Sequence, residues 1–359
     1  MRIGMIAPLA EAVPPAGYGG TERVVSTLTE ELVRRGHEVT LFASGDSRTS
    51  ATLVPYSERS LRTDPSIQDE LAYLIVAITE VYRRAGEFDL LHNHNDYLAF
   101  PLDPFHPTPT VTTTHGRLDL PETQRVYRTF ADHPLVSISK AQQASLPDVN
   151  WVGNVYHGIP LDHYQFRPDP EDYLIFLGRI CPEKRPDRAI EIAQESGRRL
   201  VIAAKVDPVD QTYYETEIAP LIERAGHLVE YVGEVDEQQK DALLGGAYAY
   251  VFPIDWPEPF GLTMAESMAT GTPVIVTNAG SAPEIVADGQ TGFVCDTVAE
   301  MVAAVDRIGS IDRHACRTHV ERCFSPAAMA DGYECVYAAL APAAAQDRGF
   351  AKDIALAAG

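Results

Sequence analysis

Short apolar runs bounded by turn residues alternate along the chain with stretches whose apolar positions recur every three or four residues. Runs of the first kind are strands buried on both faces, and the 3.6-residue period marks the helices that cover them, so the pattern predicts βα units and parallel sheets. "RIGMIA" opens the series. "TERVVSTLTEELVRRG" follows, with Val24, Val25, Leu28 and Leu32 on one helical face and Gly36 as its stop. Further strands are predicted at "HEVTLFA", "FDLLHNH", "TPTVTTTH" and "PLVSIS". The segment "GNVYHGIPLDHYQFRPDPEDY" breaks the rhythm with Pro and Gly and reads as a linker near residues 155–170. The pattern then restarts with "YLIFLG", "RLVIAAKV", "LVEYVGEV", "AYVFPI" and "TPVIVTN". Two successive α/β domains are expected, over residues 1–160 and 161–324. A helix opening at Ser325 is expected within 325–359, packing back towards the first domain.

Composition narrows the function classes. A chain of 359 residues exceeds what one core usually serves, which agrees with two domains. No apolar run approaches bilayer length, and the N-terminus enters a strand-like segment without a basic leader. Five cysteines, odd in number and without a C-x-x-C pair, point away from a disulfide framework or a zinc site. Together these features predict a cytoplasmic protein. The net charge is −22, with −7 up to residue 165 and −15 beyond it. Both halves being acidic, nucleic acid or an anionic membrane is a poor main partner, and any local basic cluster stands out.

One such cluster is "LGRICPEKRPDRAIEIA", a strand end followed by Arg179, Lys184 and Arg185 around a helix start. It is either a solvated face or an anion held by charge-assisted bonds. A second element is "IDWPEPFGLTMAESMAT", in which Glu258 precedes a helix and Glu266 lies inside it. The two prolines end the preceding strand, and Gly261 permits close backbone approach where free N–H groups and the helix dipole suit a phosphate. Glu266 is placed to accept hydrogen bonds from a diol such as ribose. The bland alternative makes Glu258 a loop charge and Glu266 a surface helix residue.

The order "YGGTERVVSTLTEELVRRGHEVTLF", "GRICPEKRPDRAIEIA", "EPFGLTMAES", "GTPVIVTNAGSAPEIVADGQTGF" resembles the family 4 glycosyltransferases of the GT-B fold, over Met1 to about residue 308. The resemblance implies two Rossmann-like domains facing each other across a deep cleft, and a retaining enzyme that takes a hexose from a UDP- or GDP-sugar. By residue, it implies that Arg179 and Lys184 bind the diphosphate and stabilise it as leaving group. Glu266 would hold the ribose and Glu258 the hexose hydroxyls. Backbone N–H groups around Phe260, Gly261, Leu262 and Thr263 would hold sugar and phosphate oxygens, and Val235 would meet the base. Lys205, at the end of "RLVIAAK", points to the same region. The chain departs from the family at "EKRP", where EKG is common, and at "NVYHGIP", which leaves His157 without a role.

In the first domain, "PPAGYGGTE" resembles the family's flexible glycine loop, with Gly19 and Gly20 letting backbone approach phosphates. A dehydrogenase would instead place G-x-G-x-x-G directly after the strand. "TTTHG" ends a strand with His115, which the resemblance puts against the donor sugar. His92, His94 and Asp96 in "LHNHND" have a spacing that could ligate a metal. Such enzymes neutralise the leaving diphosphate with side chains and helix N–H groups, however, so neither a metal nor another cofactor is expected. His94 and Asp96 then line the acceptor side or satisfy local backbone, and Ser139 with Lys140 starts a helix. The competing readings are an epimerase or hydrolase of nucleotide sugars, and a binding module without chemistry. The acceptor and the oligomeric state are not encoded in any recognisable motif.

Overall fold

The computed structural model describes residues 1–342, and the rest of the expected 325–359 segment lies outside the described residues. The chain divides into two compact units, one of residues 1–158 together with the segment from Pro326, the other of residues 159–325.

The first unit is built on a seven-stranded parallel sheet in the order β3-β2-β1-β4-β5-β6-β7. Its strands are β1 (Arg2–Ile6), β2 (Glu38–Ala43), β3 (Thr52–Pro55), β4 (Leu90–Asn93), β5 (Thr110–Thr113), β6 (Leu135–Ser137) and β7 (Trp151–Asn154). β3 and β7 are strands that the apolar pattern does not announce, and β7 takes in the first residues of the segment read as linker. The helix Gly20–Arg34 ends as its sequence predicts. Gly36 takes φ 87°, its N–H donates to Val33 O, and the His37 N–H donates to Leu32 O. That pair of bonds is a Schellman stop. Ser139 caps the helix Lys140–Ser145 by accepting from the Gln142 N–H.

The helix Pro326–Leu340 belongs to this unit. It packs closely on β7 and the residue that follows it because a glycine on each side makes room for a valine on the other. A Cβ on Gly153 would lie 2.8 Å from Val336, and one on Gly332 would lie 3.0 Å from Val155. Its Glu334 accepts from Arg35 and pairs with His37, which fastens it to the end of the helix Gly20–Arg34.

The second unit holds a six-stranded parallel sheet in the order β10-β9-β8-β11-β12-β13. Its strands are β8 (Tyr173–Arg179), β9 (Arg199–Lys205), β10 (Val229–Gly233), β11 (Ala249–Phe252), β12 (Val274–Thr277) and β13 (Gly292–Cys295). The order reverses at β8, which pairs with β9 on one side and β11 on the other. In open α/β sheets such a reversal leaves a crevice beyond the strands' carboxyl ends, where ligands bind. Among the described residues no helix is long and apolar enough to cross a membrane.

Arg313 knits the second unit together. It is 8 % exposed and donates to the carbonyls of Arg167, Gly245 and Ala247 and to the Thr272 hydroxyl. Arg313→Leu strands several buried acceptors, each costing about 1–3 kcal/mol. The unfolding free energy of this unit should fall by about 3 kcal/mol or more in urea titrations. A change below about 0.5 kcal/mol would show that solvent replaces the guanidinium.

Candidate active site

In the second unit the predicted residues gather at the carboxyl edge of the sheet. Arg179 and Lys205 end β8 and β9 and stand opposite each other in register. Arg179 lies 3.5 Å from a carboxylate oxygen of Asp207 and of Asp210, and Lys205 Nζ lies 3.0 Å from Asp207. Lys184 follows in the loop after β8. It makes a short ion pair with Glu258, and its Nζ sits 4.8 Å and 4.9 Å from the ring centres of Phe252 and Trp256. A cation over two aromatic faces is held by their quadrupoles as well as by the carboxylate. Arg185 turns away from this group. It occupies a left-handed conformation and pairs with Asp187 and Asp255.

Both glutamates are buried, Glu258 to 8 % and Glu266 to 3 % exposure, so neither is a solvated surface charge. Glu258 also accepts from the Trp256 indole N–H at 3.1 Å. Its loop lies flat against the segment after β12, because the Ser281 N–H donates to Glu258 O and the Ser281 hydroxyl to Phe260 O. Gly280 allows this, since a Cβ there would come within 2.3 Å of the Glu258 nitrogen. Gly261, at φ 77°, caps the helix Leu262–Ala269 without a side chain. Leu262 and Thr263 thus open that helix, and the Thr263 hydroxyl bonds to Tyr250 OH at 2.8 Å. Glu266 accepts from Lys240 at 2.9 Å. Val235 lies two residues beyond β10, half-buried.

Sequence reasoning missed Lys240 and Trp256 as the partners of the two glutamates. Lys240 sits in "DEQQKDALLGG", which carries no motif; Trp256 stands two residues before Glu258, an aromatic in a Pro-rich loop that could have been weighed.

In the first unit Gly19 precedes the helix Gly20–Arg34 at φ 149°, and Gly20 is its first residue. A Cβ on Gly19 would press on Pro15 at 2.8 Å. His115 lies two residues past β5, half-buried, in a cluster of four histidines. Its Nε2 is 2.8 Å from His94 Nδ1, and its ring stacks on His157 at 5.2 Å. His157, which the sequence left unassigned, therefore belongs to this group. His92 has both ring nitrogens engaged at 2.7 Å, with Tyr337 OH and with the Thr113 hydroxyl, which in turn meets Tyr333 OH. Asp96, at φ 46°, accepts from the His115 backbone N–H and from Tyr127 OH. The triplet His92, His94 and Asp96 thus has separate partners and does not converge on one point. Among the described residues no group of three His, Cys, Asp or Glu is arranged to hold a metal ion.

Residues 162–316 match the family described as glycosyl transferases group 1, and residues 18–148 match Glycosyltransferase Family 4. A phosphatidyl-myo-inositol mannosyltransferase of Mycobacterium leprae is 26% identical over 334 residues, covering 82% of this chain and 83% of its own. A glycogen synthase of Mycobacterium tuberculosis is 26% identical over 361 residues, covering 85% of each. Among solved structures, the sucrose-phosphate synthase of Thermosynechococcus elongatus aligns with a TM-score of 0.77 at 19% identity, covering 96% of this chain and 100% of that one. HepE of Anabaena in complex with UDP aligns at 0.74 with 17% identity, covering 95% and 100%. Two parallel α/β units with these likenesses define the GT-B fold. The chain belongs to the family 4-type glycosyltransferases.

The buried histidines make stability depend on pH. Burial holds His92 and His115 down at about 3 and keeps His94 and His157 well below the usual imidazole range, while it raises Asp96 to about 6. Below pH about 6.5 the unfolded chain protonates these rings and the folded chain does not, so their stabilisation is complete above that pH and is lost as pH falls. Asp96 works in the opposite direction between about 6 and 4, and several rings outweigh one carboxyl. Between pH 6.5 and 4.5 the unfolding free energy should drop by about 1 kcal/mol per pH unit or more. A flat profile in denaturant titrations would mean that the rings are charged in the folded state.

Proposed function

We propose that the protein transfers a hexose from a UDP- or GDP-sugar to a hydroxyl acceptor with retention at the anomeric carbon. The observation that carries this reading is the grouping at the reversal of the second sheet. Arg179, Lys184 and Lys205 stand there beside a glycine-capped helix start and two buried glutamates. HepE, a structural relative, is solved with UDP, which supports a nucleotide-linked donor.

In this reading Arg179 and Lys184 bind the diphosphate and stabilise the charge that develops as the glycosidic bond breaks. Backbone N–H groups at Phe260, Gly261, Leu262 and Thr263 complete that cradle, with Lys205 beside it. Glu266 holds the ribose hydroxyls, Glu258 the hexose hydroxyls, and Val235 the base through its backbone. His115 contacts the sugar, and the glycine loop at Gly19 and Gly20 approaches phosphate oxygens. Both glutamates are committed to lysines, which favours front-face attack, with the leaving phosphate taking the acceptor's proton, over a glutamate nucleophile. These side chains supply the positive charge the leaving group needs, so we assign no metal or other cofactor to the reaction. The relatives act on different acceptors, and the acidic first unit weighs against an anionic membrane surface. We place the enzyme in the cytoplasm, where its five free thiols stay reduced.

Lys184→Met keeps the apolar stem over Phe252 and Trp256 and removes the charge. Turnover with labelled donor should fall roughly a hundredfold, the equivalent of about 3 kcal/mol of lost transition-state stabilisation. Activity within threefold of the parent would remove Lys184 from the diphosphate site.

The two glutamates should separate in calorimetry. Glu266→Ala should weaken the free nucleoside diphosphate by about 1.5–3 kcal/mol, since the ribose bonds exist without the hexose. Glu258→Ala should leave that affinity nearly intact and lower turnover instead. The reverse pattern would invert the orientation of the donor.

A further inference from the structure

Three adjacent strands deliver three side chains in a row: Met5 on β1, His94 just past β4 and His115 past β5. The order of protons along this row follows from what each atom can do. A thioether sulfur has lone pairs and no proton, so it only accepts. His94 Nε2 lies 3.1 Å from Met5 Sδ, which places the His94 proton on Nε2. The ring is 2 % exposed, and burial keeps it neutral, so it carries one N–H and its Nδ1 is a lone pair. That lone pair is 2.8 Å from His115 Nε2, which must therefore be the donor. His115, also neutral, is left with an unprotonated Nδ1. This atom is buried and has no hydrogen-bond partner among the described residues. A buried acceptor without a donor is costly to maintain and is characteristic of a functional position.

We propose that Met5 and His94 are positioning residues that lock His115 in its Nε2–H tautomer, so that Nδ1 accepts a hydrogen bond from a hydroxyl of the transferred sugar. The sugar half of this statement rests on the proposed function; the tautomer half does not. The locked tautomer also selects among donors. A free hydroxyl at the contacted carbon satisfies Nδ1. A carboxylate, an ether or a deoxy position brings no proton and leaves two lone pairs facing each other, or one facing nothing. Sites built to hydrogen-bond a hydroxyl discriminate strongly against analogues that lack it. The donor class is therefore a sugar with a free hydroxyl at the contacted carbon, in preference to one that carries a carboxylate there or is deoxygenated at that carbon. The ring of His157 stacks on one face of His115, and the ring centres of His92 and His94 lie 4.0 Å apart, so both rings of the row are packed between neighbours.

The test uses the whole protein labelled with ¹⁵N at histidine, with long-range ¹H–¹⁵N correlation spectra reporting which ring nitrogen bears the proton. In the parent, His94 and His115 should both show the Nε2–H form. Met5→Leu keeps the volume and removes the acceptor, and a second His115 tautomer should appear. His94→Leu should do the same, whereas His94→Gln offers a carboxamide oxygen in place of Nδ1 and should retain the parent tautomer. In transfer assays, Met5→Leu and His94→Leu should lower kcat about tenfold, the worth of roughly one hydrogen bond, with His94→Gln recovering most of it. Met5→Leu should also narrow the preference for hydroxylated over deoxygenated donor sugars. An Nδ1–H form of His115 in the parent, or a tautomer unmoved by both leucine variants, overturns the proposal. Tautomers that respond as stated in a protein that transfers no sugar from any nucleotide donor would overturn the sugar contact and the proposed function together, and leave the lock standing.

Discussion

A carboxylate taken out of water must be given a cation, and this constraint organises the candidate site of the second unit. Glu258 and Glu266 are buried and each is met by a lysine from a different element, Lys184 after β8 and Lys240 in the helix Glu237–Gly246. Removing either lysine would leave an uncompensated charge, which is far more damaging than the pair is stabilising. The backbone is shaped to permit these pairings. Gly280 lets the Glu258 loop lie against the next strand's exit, and Gly261 starts the following helix in a left-handed turn. The two ion pairs thus fix the geometry of the strand ends before any ligand arrives.

The first unit meets the same constraint with neutral groups. Its strand ends carry histidines instead of ions, and the most deeply placed of them, His92, has both ring nitrogens on hydroxyls. From the helix Pro326–Leu340, Tyr337 supplies one of these hydroxyls and Tyr333 bonds to the other, that of Thr113, so a late segment of the chain completes a cluster begun by its first hundred residues. The glycines that let this helix reach β7, Gly153 and Gly332, serve the same arrangement. A bulkier residue at Gly153 would press on Val336 and move the tyrosines away from Thr113 and His92.

What the sequence made legible follows from burial. Central strands are covered on both faces and read as unbroken apolar runs, and these the pattern located. β3, β7 and β13 escaped it, and all three are sheet edges. β3 ends in a proline, and every residue of β7 is only half-buried, so neither shows a run or an alternation. At the site, charged residues on motif spacing were visible, as were the glycines that need special conformations. Their partners were not. Lys240 lies 26 residues from Glu266, and Tyr337 lies 245 from His92. No local pattern encodes such a pairing, because it exists only once the sheet has brought its strand ends together.

The ion pairs also bear on how so acidic a chain could hold a diphosphate. Around the proposed cradle, Arg179, Lys205 and Lys184 are matched by Asp207, Asp210 and Glu258, so the cluster is close to neutral. It is not an open sink for anions. A monovalent anion would have to draw a cation from a carboxylate already in place and would gain little by it. A diphosphate brings more than one charge and several acceptor oxygens at fixed spacing, and so can engage two cations and the helix N–H groups at once. On this reading the acidic partners act as selective weights. They hold the lysines and arginine in position when no donor is present, and they set a threshold that only a multiply charged ligand of the right span crosses.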